Sequence, residues 1–162
     1  MGYPFLNRDI IQLTPRLKYD IHIEIETNNY PGRILPVISA PGGKGEITPS
    51  ILCESGLENT STKTVEMLGL ILNSENPNTT VQYHSDIGLL GISFECEYRD
   101  DKQNITVRAD SSIGDPRYAM ICEKLQDNKV RYQCKMPNVN NFDSFVFTIE
   151  WMATKTGDGS AS

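Results

Sequence analysis

The chain has two histidines, His22 and His84, and acid–base chemistry near neutral pH would recruit one of them. His22 lies between Asp20 and Glu24, and a His–carboxylate pair is half of a catalytic triad. No serine in a GxSxG elbow completes it, so His22 reads as a strand histidine on a carboxylate-rich surface. His84-Ser85-Asp86 spells a triad in order, but adjacent strand residues point to opposite faces and cannot form the relay.

Four cysteines are the next candidates: Cys53, Cys96, Cys122 and Cys134. They contain no CxxC, which disfavours a zinc site. A reactive thiolate needs a cationic setting. Glu54 follows Cys53, Glu95 and Glu97 flank Cys96, and Glu123 follows Cys122. Only Cys134, near Arg131 and Lys135, sits among cations. Disulfides are the expected role, and four cysteines allow three pairings.

Gly42-Gly43-Lys44-Gly45 lacks the GxxxxGK[ST] spacing of a phosphate cradle and reads as a loop between strands. Calcium would need alternating oxygen ligands, which neither Asp100-Asp101 nor Asp110 to Asp115 supplies; turn-forming Asp and Gly explain both stretches. No catalytic residue, metal or cofactor is assigned, and the chain is expected to be non-catalytic. Asn59, Asn78 and Asn104 each open an N-x-[ST] sequon in a stretch that reads as a turn or strand end, as a glycan acceptor requires.

The elements that would position these residues are strands. Leu17, Tyr19, Ile21, Ile23, Ile25 and Thr27 alternate with Lys18, Asp20, His22, Glu24 and Glu26, the pattern of a long antiparallel strand with one wet face. Arg33–Ile38 is a short apolar strand whose Pro36 suits an edge or a bulge, and Glu46 to Cys53 reads as another. Thr64 to Leu72 fits helical and strand spacing alike; Gly69 and the short length favour a buried strand. Leu89 to Arg99, Asn104 to Ala109 and Asp143 to Met152 alternate as well.

Tyr118 to Met136 reads as a hairpin folded about Gln126 to Lys129. A centre near Asn128 would set Cys122 opposite Cys134 as a local staple. Cys134 shares its face with Val130, Tyr132 and Met136, and Cys96 lies with Phe94 and Tyr98, so an inter-sheet Cys96–Cys134 bridge competes with it.

The sum is an all-β fold: an antiparallel two-sheet β-sandwich, Greek-key, Ig-like or jelly-roll-like, with about ten strands and little or no helix. Residues 1–16 form an extended arm that packs loosely or adds an edge strand, 17–153 the sandwich, and 154–162 a disordered tail or linker. Tyr132-Gln133-Cys134 resembles the Tyr-x-Cys of an immunoglobulin F strand, with Cys96 in the place of the B-strand partner. The Cys96–Cys134 interval is shorter than in such domains and no tryptophan lies between them, so only the sandwich architecture is carried over.

A formal charge of −6 without a Lys/Arg cluster disfavours nucleic acid. No apolar run of 18 residues provides a transmembrane segment, and the first thirteen residues lack the pattern of a signal peptide. Cysteines in even number, sequons and Asn/Thr-rich loops favour an oxidising compartment, hence a secreted or cell-surface protein. The expected function is recognition of a protein or glycan partner through loops, with Tyr30 as an aromatic anchor. The competing readings are a subunit of a self-assembling shell with exchanging arms, and a membrane-active toxin inserting Leu89-Leu90.

Overall fold

The computed structural model describes residues 6–30, 32–42, 45–48, 63–65, 67–69, 78–115, 117–137, 139 and 141–154. It is a two-sheet, wholly antiparallel β-sandwich. The strands are β1 (Asp9–Gln12), β2 (Tyr19–Asn28), β3 (Arg33–Ser39), β4 (Gly45–Thr48), β5 (Lys63–Val65), β6 (Met67–Gly69), β7 (Asn78–Ser85), β8 (Leu89–Asp100), β9 (Ile105–Asp110), β10 (Ala119–Gln126), β11 (Lys129–Lys135) and β12 (Phe145–Ala153). Ten of these have four residues or more, the number that the alternation implies, and β5 and β6 add three residues each. The only helical piece among the described residues is a 3-10 turn, Ser111–Ile113.

The larger sheet runs β10-β11-β12-β2-β7-β4-β5; the smaller runs β1-β8-β3-β6, with β9 also on β8. Between them Ile21, Ile23, Phe147 and Ile149 face Ile38, Ile92 and Phe94, all fully buried. Each such side chain contributes about 1.5–3 kcal/mol by leaving water. Lys63–Val65 and Met67–Gly69 are strands rather than helix, one paired with β4 and the other with β3. No helix among the described residues is long and apolar enough to cross a membrane.

The N-terminal segment belongs to this sandwich and joins both sheets. Leu6 exchanges backbone hydrogen bonds with Met120 at the edge of the large sheet, and β1 then pairs with β8 in the small one. Ile11 and Leu13 are buried, and Asp9 Oδ2 accepts the Tyr132 hydroxyl at 2.7 Å. In its described part, residues 6–16, the arm contributes an edge strand tied to the core of its own chain.

Two local details show how the ladder absorbs awkward residues. Pro36 faces Phe94 in the β3–β8 register, and the Phe94 N–H turns the other way, to Ser111 Oγ at 3.0 Å in the gap between β1 and β9. The missing proline N–H therefore removes no bond to β8. In β2 the register against β12 slips, with Ile25 opposite Phe147 but Thr27 opposite Val146. Glu26 is the extra residue of this bulge, and it moves Thr27 off the core face that strict alternation assigns to it.

Candidate functional site

The residues singled out for chemistry fall in three separate places. The histidines lie on the outer face of the large sheet. His22 Nδ1 is 3.0 Å from Thr80 Oγ1 and its Nε2 is 3.7 Å from Glu24; His84 Nε2 is 3.3 Å from Glu46. Ser85 points inward, where its Oγ accepts the Gly88 N–H at 2.9 Å, so His84 and Ser85 occupy opposite faces as expected. On the same outer face Arg131 reaches across β12 to the bulged Glu26 at 2.7 Å and back to Glu123 at 3.6 Å. The two Arg131 contacts are solvated ion pairs, each worth about 0–1 kcal/mol.

The cysteines lie in the core. Cys96, Cys122 and Cys134 are free thiols, and Cys53 lies outside the described residues. The hairpin forms where expected, but its register sets Cys122 opposite Tyr132 and Cys134 opposite Met120. The turn holds two residues, Asp127 and Asn128, and a bulge at Leu125 adds one more to β10; together they displace Cys122 from the position facing Cys134. Cys134 is not electropositive, because Arg131 and Lys135 occupy the other sheet face while its thiol is fully buried. Burial raises its pKa well above the usual thiol value, reinforced by Cys122 and Cys96 nearby. Burial likewise pushes Cys122 up to about 12, with the Asp9 charge adding to it, and Cys96 up to about 11, opposed by a hydrogen bond from Tyr30. None is set up as a nucleophile.

Tyr30 is the clearest correction. The Asn-rich turn suggests an exposed anchor, yet Tyr30 is 7% exposed and belongs to the core. The chain after β2 packs onto β8 so closely that a Cβ on Gly32 would stand 2.1 Å from the Glu97 carbonyl oxygen. That approach turns the tyrosine inward to Cys96. Leu90, one of the two leucines proposed for membrane insertion, is 0% exposed and Leu89 half-buried, because both belong to β8.

The third place is a groove at the end of the sandwich where the β8–β9, β9–β10 and β11–β12 connections converge. It has a volume of about 390 Å³ and is lined by Tyr98, Arg99, Asp100, Asp101 and Lys102 from the first, Arg117 from the second and Pro137 from the third. Its walls are braced. Asp100 Oδ1 accepts the Lys102 and Gln103 N–H groups at 3.1 and 3.3 Å, an Asx turn that shapes the hairpin tip. Asn104 adopts a left-handed φ of 56° there, and its Oδ1 accepts from the Arg99 guanidinium.

On the facing wall Asp115 grips Arg117 through Nε and Nη2, the latter at 2.7 Å. These bonds hold the Asp115 carboxyl below the usual carboxylate range. Asn7 Nδ2 donates to the Asp115 and Tyr118 carbonyls at 3.0 and 2.6 Å, and Tyr98 hydrogen-bonds Tyr118. Asp110 caps the 3-10 turn, accepting the Ser112 N–H at 2.7 Å. Both acidic stretches are thus turn-builders. Among the described residues no group of three or more His, Cys, Asp or Glu side chains could hold a metal ion.

The groove offers a phenol, three cationic side chains and two carboxylates. Composition alone did not mark it, since its walls come from segments 15 to 39 residues apart; the acidic turns were the only signal. Of the sequons, Asn78 and Asn104 are exposed and Asn59 lies outside the described residues. No protein-family model, curated protein or solved structure matches the chain.

Proposed function

We propose that the protein is a secreted or cell-surface recognition module that binds a protein or glycan partner, without catalysis, through the groove at this end of the sandwich. The observation that carries the reading is the convergence of three separate connections, two of them braced by their own hydrogen bonds, on one polar cleft. Rigid strands that present preorganised loops reduce the ordering penalty of binding. The mixed lining suits a ligand rich in hydroxyls or in paired charges: Tyr98 supplies a flat ring and a hydroxyl, and Arg99, Lys102 and Arg117 supply directed donors. Exposure of Asn78 and Asn104 is what glycosylation in such a compartment requires. In such a compartment the cysteines would be expected to pair, although Cys96, Cys122 and Cys134 are free thiols in the structure.

The test is a screen against glycan arrays and panels of purified extracellular domains, with wild type beside a Lys102→Ala/Arg117→Ala double variant and a His22→Ala/Glu24→Gln double variant. Hits retained by the outer-face variant and lost by the groove variant are expected. Hits that survive loss of the groove cations would sink the assignment.

A further inference from the structure

Asn104 lies two residues beyond Lys102, the last lining residue of the β8–β9 connection. It is exposed at the tip of the β8–β9 hairpin, and Thr106 two positions on is exposed too. Arg99, a lining residue, donates to Asn104 Oδ1. That contact ties the Asn104 side chain to a residue of the groove wall. Asn104 has a left-handed φ of 56° and lies outside the β8–β9 ladder, which begins at Ile105.

We propose that Asn104 carries an N-linked glycan that forms the outer rim of the groove, so that a partner meets sugar on the hairpin side and protein on the Arg117 and Pro137 side. In the transfer, Asn104 Nδ2 attacks the anomeric carbon of a lipid-pyrophosphate-linked oligosaccharide. The new C–N bond forms as the bond from that carbon to the pyrophosphate oxygen breaks, and the amide proton leaves to a base with no change of oxidation state. The transfer occurs on the extended chain; the fold has only to leave room for the product, and an exposed hairpin tip does. Asn78 differs. It is exposed, but its backbone pairs with Glu24 and the Thr80 hydroxyl of its sequon contacts His22, so a glycan there would cover the outer face of the large sheet.

The inference rests on the extracellular part of the proposed function and not on the groove having a partner, and its test uses no partner. Protein secreted from eukaryotic cells would be digested and its glycopeptides mapped with peptide N-glycosidase in heavy-oxygen water. Occupied Asn104 is expected, with the sugar lost in Thr106→Ala, which leaves the Asn104–Arg99 contact in place. An unmodified Asn104 in the secreted protein overturns the proposal. Rim placement is read by acylation of Lys102 with an amine-reactive ester. Labelling should accelerate several-fold when the glycan is removed enzymatically, while Lys129, at the opposite end of the sandwich, is unchanged. Equal Lys102 rates before and after deglycosylation overturn the rim role even if the site is occupied.

Discussion

Along β11, Val130, Tyr132 and Cys134 are buried while Arg131, Gln133 and Lys135 are half-exposed; along β9, none of the six residues is buried, and Ile105 is 45% exposed. Both strands close hairpins, and both read as alternating in sequence. Their neighbours separate them. β11 lies between β10 and β12, with Tyr132 stacked on Phe147 at a centroid distance of 5.2 Å. β9 has β8 on one side only, at the sheet edge. Alternation thus names two faces without saying whether anything waits to cover the apolar one. The supported hairpin became core, and the unsupported one became the wall of a polar groove.

The deepest cut into this contrast is Phe147→Ala, which removes the ring on β12 that Tyr132 of β11 stacks on and should cost about 3–5 kcal/mol in chemical denaturation. Next, Tyr132→Phe leaves Asp9 Oδ2 without its donor and should cost about 1–3 kcal/mol. A loss below a few tenths would show that β1 is not anchored by this bond. The matching probe of the edge hairpin, Ile105→Ala, should stay within about 0.5 kcal/mol of wild type. A larger loss would mean that β9 buries more than its position implies.

The smallest effect concerns two carboxyls near the groove end. Burial raises the Glu95 pKa against the opposing pull of Arg33, its side chain being 13% exposed; the Arg117 hydrogen bonds lower that of Asp115. The linkage signs are therefore opposite. The Glu95 contribution is present below its ordinary value of 4.5 and is lost as pH rises through its raised folded value. That of Asp115 is present above 3.8 and is lost as pH falls through its lowered one. Carboxyl carbon NMR titration should place the two midpoints on these sides, and Arg117→Ala should return only Asp115 toward 3.8.

Much of the architecture was legible without coordinates. The isoleucines of β2, the apolar faces of β11 and β12, and a polar turn within Gln126 to Lys129 follow from a period of two and from turn chemistry, both of which are local. The arrangement of His84 and Ser85 on opposite faces was legible for the same reason. Contacts between distant segments were not. The Glu26 bulge arises only where β2 meets β12, and the Leu125 bulge only where β10 meets β11, so Thr27 and Cys122 miss their expected positions by register. Tyr30 turned inward because Gly32 lets the following chain press on β8, a packing event between segments some 65 residues apart. The groove is of the same kind: Tyr98, Arg117 and Pro137 share no local pattern and meet because three connections end at one edge of two stacked sheets. Local periodicity chose the strands and their faces. Registry and the meeting of loops depended on which strands became neighbours, and that was decided by the folded sandwich.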